Sequence, residues 1–332
     1  MKKLKVMTIL GTRPEIIRLS RVMERLDRYT NHVIVHTGQN YDYQLNEIFF
    51  EDLGVRKPNH FLGVGGGSLG ETLGGILSET EKTLRAEQPD AVLILGDSNS
   101  AISAIMARRM KIPVYHMEAG NRSYDRNVPE ETNRKVVDHI SDFNLVYTEH
   151  ARRHLLSEGC HHRRIYLTGS PMREVLEYYR KQTEASDVLT RLGLNSRGYF
   201  IVSLHREENV DSAARLRQLT IALNLLAERY DMPIIVSTHP RTRKRLDALN
   251  GLALDPRIQW MTPFGFHDYN KLQMGAFCAI TRFFAERVDH GLPNPVPQDY
   301  CITNTSERVV SLILGTAKLS NTWDGIRIND SE

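Results

Sequence analysis

Three carboxylates in the first half of this 332-residue sequence stand where they could exchange protons with a ligand. Asp97 lies in Gly96-Asp97-Ser98-Asn99-Ser100, Glu118 in His116-Met117-Glu118-Ala119-Gly120, and Glu130 in Pro129-Glu130-Glu131-Thr132-Asn133-Arg134. Carboxylates gathered at one place repel one another, which raises some of their pKa values into the range useful for acid–base work. Cations accompany them. Arg13 follows the first apolar run in Gly11-Thr12-Arg13-Pro14-Glu15, where Pro14 suits a first helical turn, so Arg13 falls beside a helix N-terminus fit for an anion. Arg18 falls one turn along. In the second half, His205 and Arg206 lie in Ser203-Leu204-His205-Arg206-Glu207-Glu208-Asn209, and His239 lies in Ser237-Thr238-His239-Pro240-Arg241. Each residue alone has an ordinary explanation: Asp97 or Ser98 as a helix cap, Glu130 and Glu131 as partners of a helix dipole, a histidine as a surface group. The signal is their coincidence at the ends of successive apolar runs.

Those runs predict the frame. Lys5–Leu10, His32–Thr37, Ala91–Leu95, Ile112–Met117, Asn144–Thr148 and Ile165–Thr168 read as buried parallel strands, each followed by a stretch with helical spacing. The series restarts at Gly198–Leu204, continues through a helix over Asp211–Tyr230 with Leu216, Leu219, Leu223 and Leu226 on one face, and ends with strands at Pro233–Ser237, Ile258–Met261 and Phe277–Ile280. The expected class is α/β, with two Rossmann-like parallel-sheet domains and a ligand cleft between them, beyond the carboxyl ends of their strands. The expected division is an N-terminal domain over 1–181 carrying the carboxylates, a polar linker over 182–197, a second domain over 198–280, and a tail over 281–332. Pro293, Pro295 and Pro297 exclude a helix or an inner strand early in that tail, which is expected to be loose beyond about residue 280.

Composition bounds the function. With 43 Lys and Arg against 40 Asp and Glu, the net charge of +3 does not argue for a nucleic-acid binder. No apolar run reaches the roughly 20 residues of a membrane span, and the apolar start is cut short at Gly11, so no signal peptide is read and a cytoplasmic location is expected. Three scattered cysteines, Cys160, Cys278 and Cys301, give neither a disulfide framework nor a zinc site. Gly65-Gly66-Gly67-Ser68-Leu69-Gly70 fits G-x-G-x-x-G, but no strand precedes it in a first βα unit, so a flexible glycine-rich loop is the reading.

GTRPE (11–15), TGQ (37–39), GDSNS (96–100), HMEAGNR (116–122), PEETNR (129–134), TGSP (168–171), HREEN (205–209) and STHPRT (237–242), in this order and spacing, resemble the non-hydrolysing UDP-N-acetylglucosamine 2-epimerases over about residues 1–280. That resemblance implies a GT-B-like fold, a UDP-N-acetyl sugar substrate, no cofactor, no obligatory metal and a homodimer. It also implies epimerisation at C2 by elimination of UDP to a glycal and re-addition. Asp97, Glu118, Glu130 and His205 become the catalytic candidates, with Arg13, Arg18, Arg134, Arg206 and His239 as substrate contacts. His205 is also expected to touch the leaving group. Arg18, GDSNS, HMEAGNRSYDRNVPEETNRK and GFHDYNKLQM are closest to the capsule and O-antigen branch that forms UDP-N-acetyl-L-fucosamine from UDP-2-acetamido-2,6-dideoxy-L-talose. After Ile280 the chain reads Thr281-Arg282-Phe283-Phe284-Ala285, where the family carries an Asp-Ser-Gly turn of its nucleotide site. Two alternatives stay open: a GT-B glycosyltransferase, which would not need the three carboxylates, and a catalytically impaired member of the family.

Overall fold

A computed structural model describes residues 3–38, 43–125, 127–204, 212–238, 245–246, 254–277 and 296–326. The chain divides into two compact units, residues 1–178 with 296–332, and residues 179–295.

Unit 1 is built on seven parallel strands among the described residues: β1 (Lys5–Leu10), β2 (Asn31–His36), β3 (His60–Phe61), β4 (Ala91–Leu95), β5 (Val114–Ala119), β6 (Phe143–Val146) and β7 (Ile165–Leu167). Their order is β3-β2-β1-β4-β5-β6-β7, so the direction of winding reverses between β1 and β4. All five residues of β4 are buried, which requires cover on both faces. The helices of this unit are α1 (Arg13–Tyr29), α2 (Tyr43–Asp52), α3 (Leu69–Glu87), α4 (Ala104–Arg109), α5 (Pro129–Ile140), α6 (Glu149–Ser157) and α7 (Pro171–Tyr178). Met7, Ile9, Val92 and Ile94 pack with Leu84 of α3, Ala104 and Ala107 of α4 and Val137 of α5. The glycine-rich segment ends sooner than expected. Ser68 caps α3, its Oγ accepting from Glu71 N (3.3 Å) while Glu71 Oε2 accepts from Ser68 N (2.7 Å), and Gly70 lies inside the helix.

Unit 2 carries α8 (Arg180–Ala185), α9 (Val188–Arg191), α10 (Ala213–Tyr230) and α11 (Phe266–Gly275) around a parallel sheet ordered β10 (Ile258–Met261), β9 (Ile234–Thr238), β8 (Phe200–Leu204). The alternation of strand side chains is plain in β9. Ile234 and Val236 pack toward Leu223 and Ala227 of α10, and Ile235 packs toward Val188, Leu194 and Leu272 on the other face. Residues 182–197, expected as linker, pack into this unit because Val188 and Leu194 supply apolar anchors in a polar stretch. Of the strand expected over Phe277–Ile280, Phe277 is irregular and 278–280 lie outside the described residues.

The tail departs most from expectation. Residues 281–295 lie outside the described residues, but α12 (Thr305–Thr316) and α13 (Ser320–Trp323) return to unit 1. Val309, Val310, Ile313 and Ala317 are buried on a face of α12 that packs against α1 and α7. Glu174 Oε2 accepts from Ser306 N (2.8 Å), Thr305 Oγ1 donates to Thr168 O (3.1 Å), and Asn321 Nδ2 donates to Lys111 O (2.7 Å). The Ile302 side chain covers Gly169, where φ is +84° and an added Cβ would meet it at 2.6 Å. Those apolar residues therefore cover unit 1, where α1 and α7 leave a complementary groove. Among the described residues no helix is long and apolar enough to cross a membrane.

His36, at the end of β2, gives a pH prediction. It is 1% exposed, stacked on Phe61 at 5.3 Å, and its Nδ1 accepts from Gly38 N at 3.0 Å. Burial holds the ring at a pKa of about 4. The unfolded ring protonates near the ordinary value of about 6.5, so this group's stabilisation is intact above that pH and is lost as pH falls toward 4, by roughly 3 kcal/mol. His36→Asn keeps an acceptor near Gly38 and removes the titration. Urea unfolding at pH 7 and 4.5 should show the wild type losing about 2–3 kcal/mol more than the variant. Equal losses would assign the acid sensitivity elsewhere.

Candidate active site

The carboxyl ends of β1 and β4 flank the reversal of strand order, the place at which parallel α/β sheets bind ligands, and that of β5 lies next to them. The two loops flanking the reversal are tied together by Glu15, in the first turn of α1. Its Oε2 accepts from Gly11 N (2.7 Å), Thr12 N (2.7 Å) and Thr12 Oγ1 (3.0 Å), and its Oε1 accepts from Ser98 Oγ (2.7 Å). Burial pushes its pKa up against those hydrogen bonds, which favour the carboxylate. Two side-chain hydroxyls crowd Gly11 here: a Cβ on it would stand 2.1 Å from both Ser100 Oγ and Thr37 Oγ1, which bond each other at 2.7 Å.

Asp97 follows β4 and accepts a hydrogen bond from Arg134 Nη2. Asn133, one residue earlier on α5, fixes the same loop by donating from Nδ2 to Asp97 O (3.0 Å) and Asn99 Oδ1 (3.1 Å). Glu118 sits inside β5, at a bulge in its pairing with β6, with φ at +66°. A left-handed glutamate is strained by about 1–3 kcal/mol, and such strain persists where function requires the side chain's direction. Here it carries the carboxylate to Arg18, whose Nη1 donates to Glu118 Oε2, and to Arg134, whose Nη2 is 3.6 Å from Glu118 Oε1. Burial works against the Arg18 cation, but the Glu118 carboxylate outweighs it and keeps the guanidinium charged. Asp97, Glu118, Arg18 and Arg134 therefore form one charge-balanced cluster. His116, wholly buried, supports it from below. Its Nε2 donates to Gly96 O (2.8 Å), and its Nδ1 stands 2.9 Å from Asp138 Oδ1. Asp138 accepts in turn from Gly120 N (3.2 Å) and Arg122 Nη1 (2.7 Å).

The other sequence candidates fall differently. Arg13 begins α1, half-buried, with its guanidinium carbon 5.9 Å from the Phe49 ring centroid. Glu130 is exposed in the first turn of α5 and makes no hydrogen bond or ion pair among the described residues. Its neighbour Glu131 is buried and holds the preceding loop, accepting from Ser123 N (3.0 Å). His205, Arg206 and His239 lie outside the described residues. Two site residues escaped the sequence reading. Glu15 had a signal, since Thr12 and Glu15 form a T-x-x-E capping box. Tyr147, buried just after β6 beside this cluster, had none, because in sequence it continues an apolar run.

The UDP-N-acetylglucosamine 2-epimerase family matches residues 24–282. A UDP-N-acetylglucosamine 2-epimerase from Methanocaldococcus jannaschii is 39% identical over 287 residues, covering 84% of this chain and 78% of the relative. The solved UDP-N-acetylglucosamine 2-epimerase from Rickettsia bellii superposes with a TM-score of 0.83 at 38% identity, over 98% of this chain and all of that one. The solved M. jannaschii enzyme, in complex with UDP-GlcNAc and UDP, superposes with a TM-score of 0.81 at 32% identity, over 93% of this chain and 99% of that one. Together with the two parallel sheets described above, these neighbours establish the α/β, GT-B-like fold class. By sequence and by fold, the chain belongs to the UDP-N-acetylglucosamine 2-epimerase family.

Proposed function

We propose that the chain epimerises a UDP-2-acetamido sugar at C2. The observation that carries the reading is the pairing of Asp97 and Glu118 with Arg18 and Arg134 at the switch point of a family member's sheet. The C2 hydrogen of such a sugar is not adjacent to a carbonyl, so direct deprotonation is costly. In the proposed route a carboxylate takes the C2 proton as the C1–O bond to UDP breaks, giving a C1=C2 glycal and free UDP. UDP then returns to C1 while the opposite face of C2 receives a proton. Two carboxylates within one cluster suit two faces, and fixed cations suit a departing diphosphate. Asp97 and Glu118 are the acid–base pair in this reading, and Glu130 is a third group brought in with substrate. Arg13, Arg18 and Arg134, with His205, Arg206 and His239, are the contacts to substrate and leaving group. A homodimer and a cytoplasmic location accompany it.

The sugar is proposed to be UDP-2-acetamido-2,6-dideoxy-L-talose, giving UDP-N-acetyl-L-fucosamine for a capsule or O-antigen. Arg18 and the GDSNS and GFHDYNKLQM segments support that branch. NMR of the C2 proton during incubation with this nucleotide and, separately, with UDP-N-acetylglucosamine tests the choice. Faster inversion of the first is expected, and faster inversion of the second would move the chain to another branch. A second reading, a catalytically weakened member, is favoured by the family match ending at residue 282 and by the sequence Thr281–Ala285 standing where the resemblance implies a nucleotide-site turn. Absence of UDP binding in calorimetry would favour it, and micromolar binding would set it aside.

A further inference from the structure

Asp138 is a buried carboxylate that the proposed chemistry does not use, and it touches the chain on both sides of Glu118. Among the described residues, Glu118 is the one non-glycine with a left-handed backbone inside a strand. The ladder pairs Met117 with Leu145 and Ala119 with Val146, and skips Glu118. A strained residue of this kind relaxes unless its surroundings over-determine it. Before Glu118, Met117 O accepts from Gly96 N (3.0 Å), and His116 Nε2 donates to Gly96 O (2.8 Å). Gly96 leads directly into Asp97, so these two bonds also set the loop of the second carboxylate. After Glu118 comes Gly120, itself left-handed at φ +76°. Its N–H is shared between the two oxygens of Asp138, at 3.2 Å from each, and its carbonyl accepts from His154 Nδ1 (2.8 Å).

Asp138 closes this clamp. Its Oδ1 stands 2.9 Å from His116 Nδ1, two residues before Glu118, and it accepts from Gly120 N, two residues after. Arg122 Nη1 donates to Oδ2 (2.7 Å) and balances the charge. The Asp138 side chain is wholly buried, so it acts through the fold and not on a ligand. A buried carboxylate costs desolvation that a neutral side chain avoids. What this one supplies is two contacts at fixed spacing around a single residue. Asp138 also lies one turn after Arg134 on α5, and residues four apart share a helix face. One face of α5 therefore presents Arg134 to the carboxylates of Asp97 and Glu118, and Asp138 to the chain that carries Glu118. We propose that Asp138 is a positioning residue: through His116 and Gly120 it keeps residue 118 left-handed, and so keeps the Glu118 carboxylate at Arg18 and Arg134. This assignment rests on the reading of Glu118 as a proton-transfer group.

Asp138→Asn in the full chain keeps the shape of the side chain and removes its charge and one of its acceptor oxygens. C2 inversion is followed by NMR with the two nucleotide sugars named above. The expected result is a kcat lower by roughly 10- to 10²-fold, with KM and the calorimetric affinity for UDP changed by less than about threefold. Because Asp138 acts through Glu118, adding Asp138→Asn to Glu118→Gln should lower kcat no further. The crystal structure of Asp138→Asn should show residue 118 outside the left-handed region. Wild-type kcat, a multiplicative loss in the double variant, or a residue 118 that stays left-handed would each overturn the assignment. Losses of UDP affinity as large as the loss of kcat would mean a generally damaged site, and would overturn it too. Should circular dichroism show Asp138→Asn unfolded, His116→Gln, which leaves Asp138 its contacts with Gly120 and Arg122, takes its place with the same expectations and the same contrary results. If the wild type inverts neither sugar, the epimerase reading fails, and the backbone of residue 118 in the variant's crystal structure alone decides whether Asp138 holds it.

Discussion

Glu118→Gln is expected to lower kcat by about 10²-fold or more while changing KM far less, the signature of a lost proton-transfer group. Gln keeps the length of the side chain and its reach toward Arg18, so the substitution removes the carboxylate's basicity and charge with little change of shape. Asp97→Asn should behave alike, because its carboxylate shares Arg134 with Glu118. The pair should also be non-additive. The two residues share a cation, so the double variant should lose much less than the product of the single losses. Steady-state kinetics on the four proteins, with circular dichroism to confirm folding, checks all of this. Wild-type turnover in either single variant would remove that residue from the mechanism.

Ile313→Ala should cost about 2–4 kcal/mol of unfolding free energy, a loss typical of a buried aliphatic side chain truncated in a packed site. Ile313 is fully buried between α12 and the helices of unit 1, whereas its neighbour Leu314 is 42% exposed. Leu314→Ala should therefore stay within about 0.5 kcal/mol of wild type. Urea denaturation of the two variants separates a tail that is part of the core from a tail that merely touches it. Equal, small effects would mean that α12 contributes little to the stability of unit 1.

Much of the frame is legible in the residues. Lys5–Leu10 and Ala91–Leu95 are strands at the bounds their apolar runs predict, because a strand buried on both faces needs an unbroken run, and the half-buried edge strand Ile258–Met261 keeps its expected bounds as well. The run over Ile112–Met117 predicts β5 two residues early. Pro113 lacks an N–H for the ladder, and the strand continues through Glu118 by means of a bulge that only the neighbouring strand imposes. β3, two residues long, offers too little pattern to read. The same division holds for the site. Residue types after strand ends single out Asp97 and Glu118, Arg18 follows one turn into the first helix, and Arg134 comes only from the family resemblance. The left-handed backbone of Glu118, which brings the four together, is a tertiary property of a residue that ordinarily avoids that region. The tail shows the limit most clearly. Val309, Val310 and Ile313 mark an amphipathic helix, but nothing in their spacing says which unit it covers.

The central claim, reversible loss of the C2 proton at this site, is tested most directly by isotope exchange. The full-length protein is incubated with UDP-2-acetamido-2,6-dideoxy-L-talose in deuterium oxide, and C2 of the recovered nucleotide sugar is read by NMR and mass spectrometry. One deuterium per sugar, at C2, in the product epimer and progressively in the returned substrate, is the predicted result. Inversion with C2 still fully protonated, or no exchange from a protein that binds the nucleotide sugar, would contradict it.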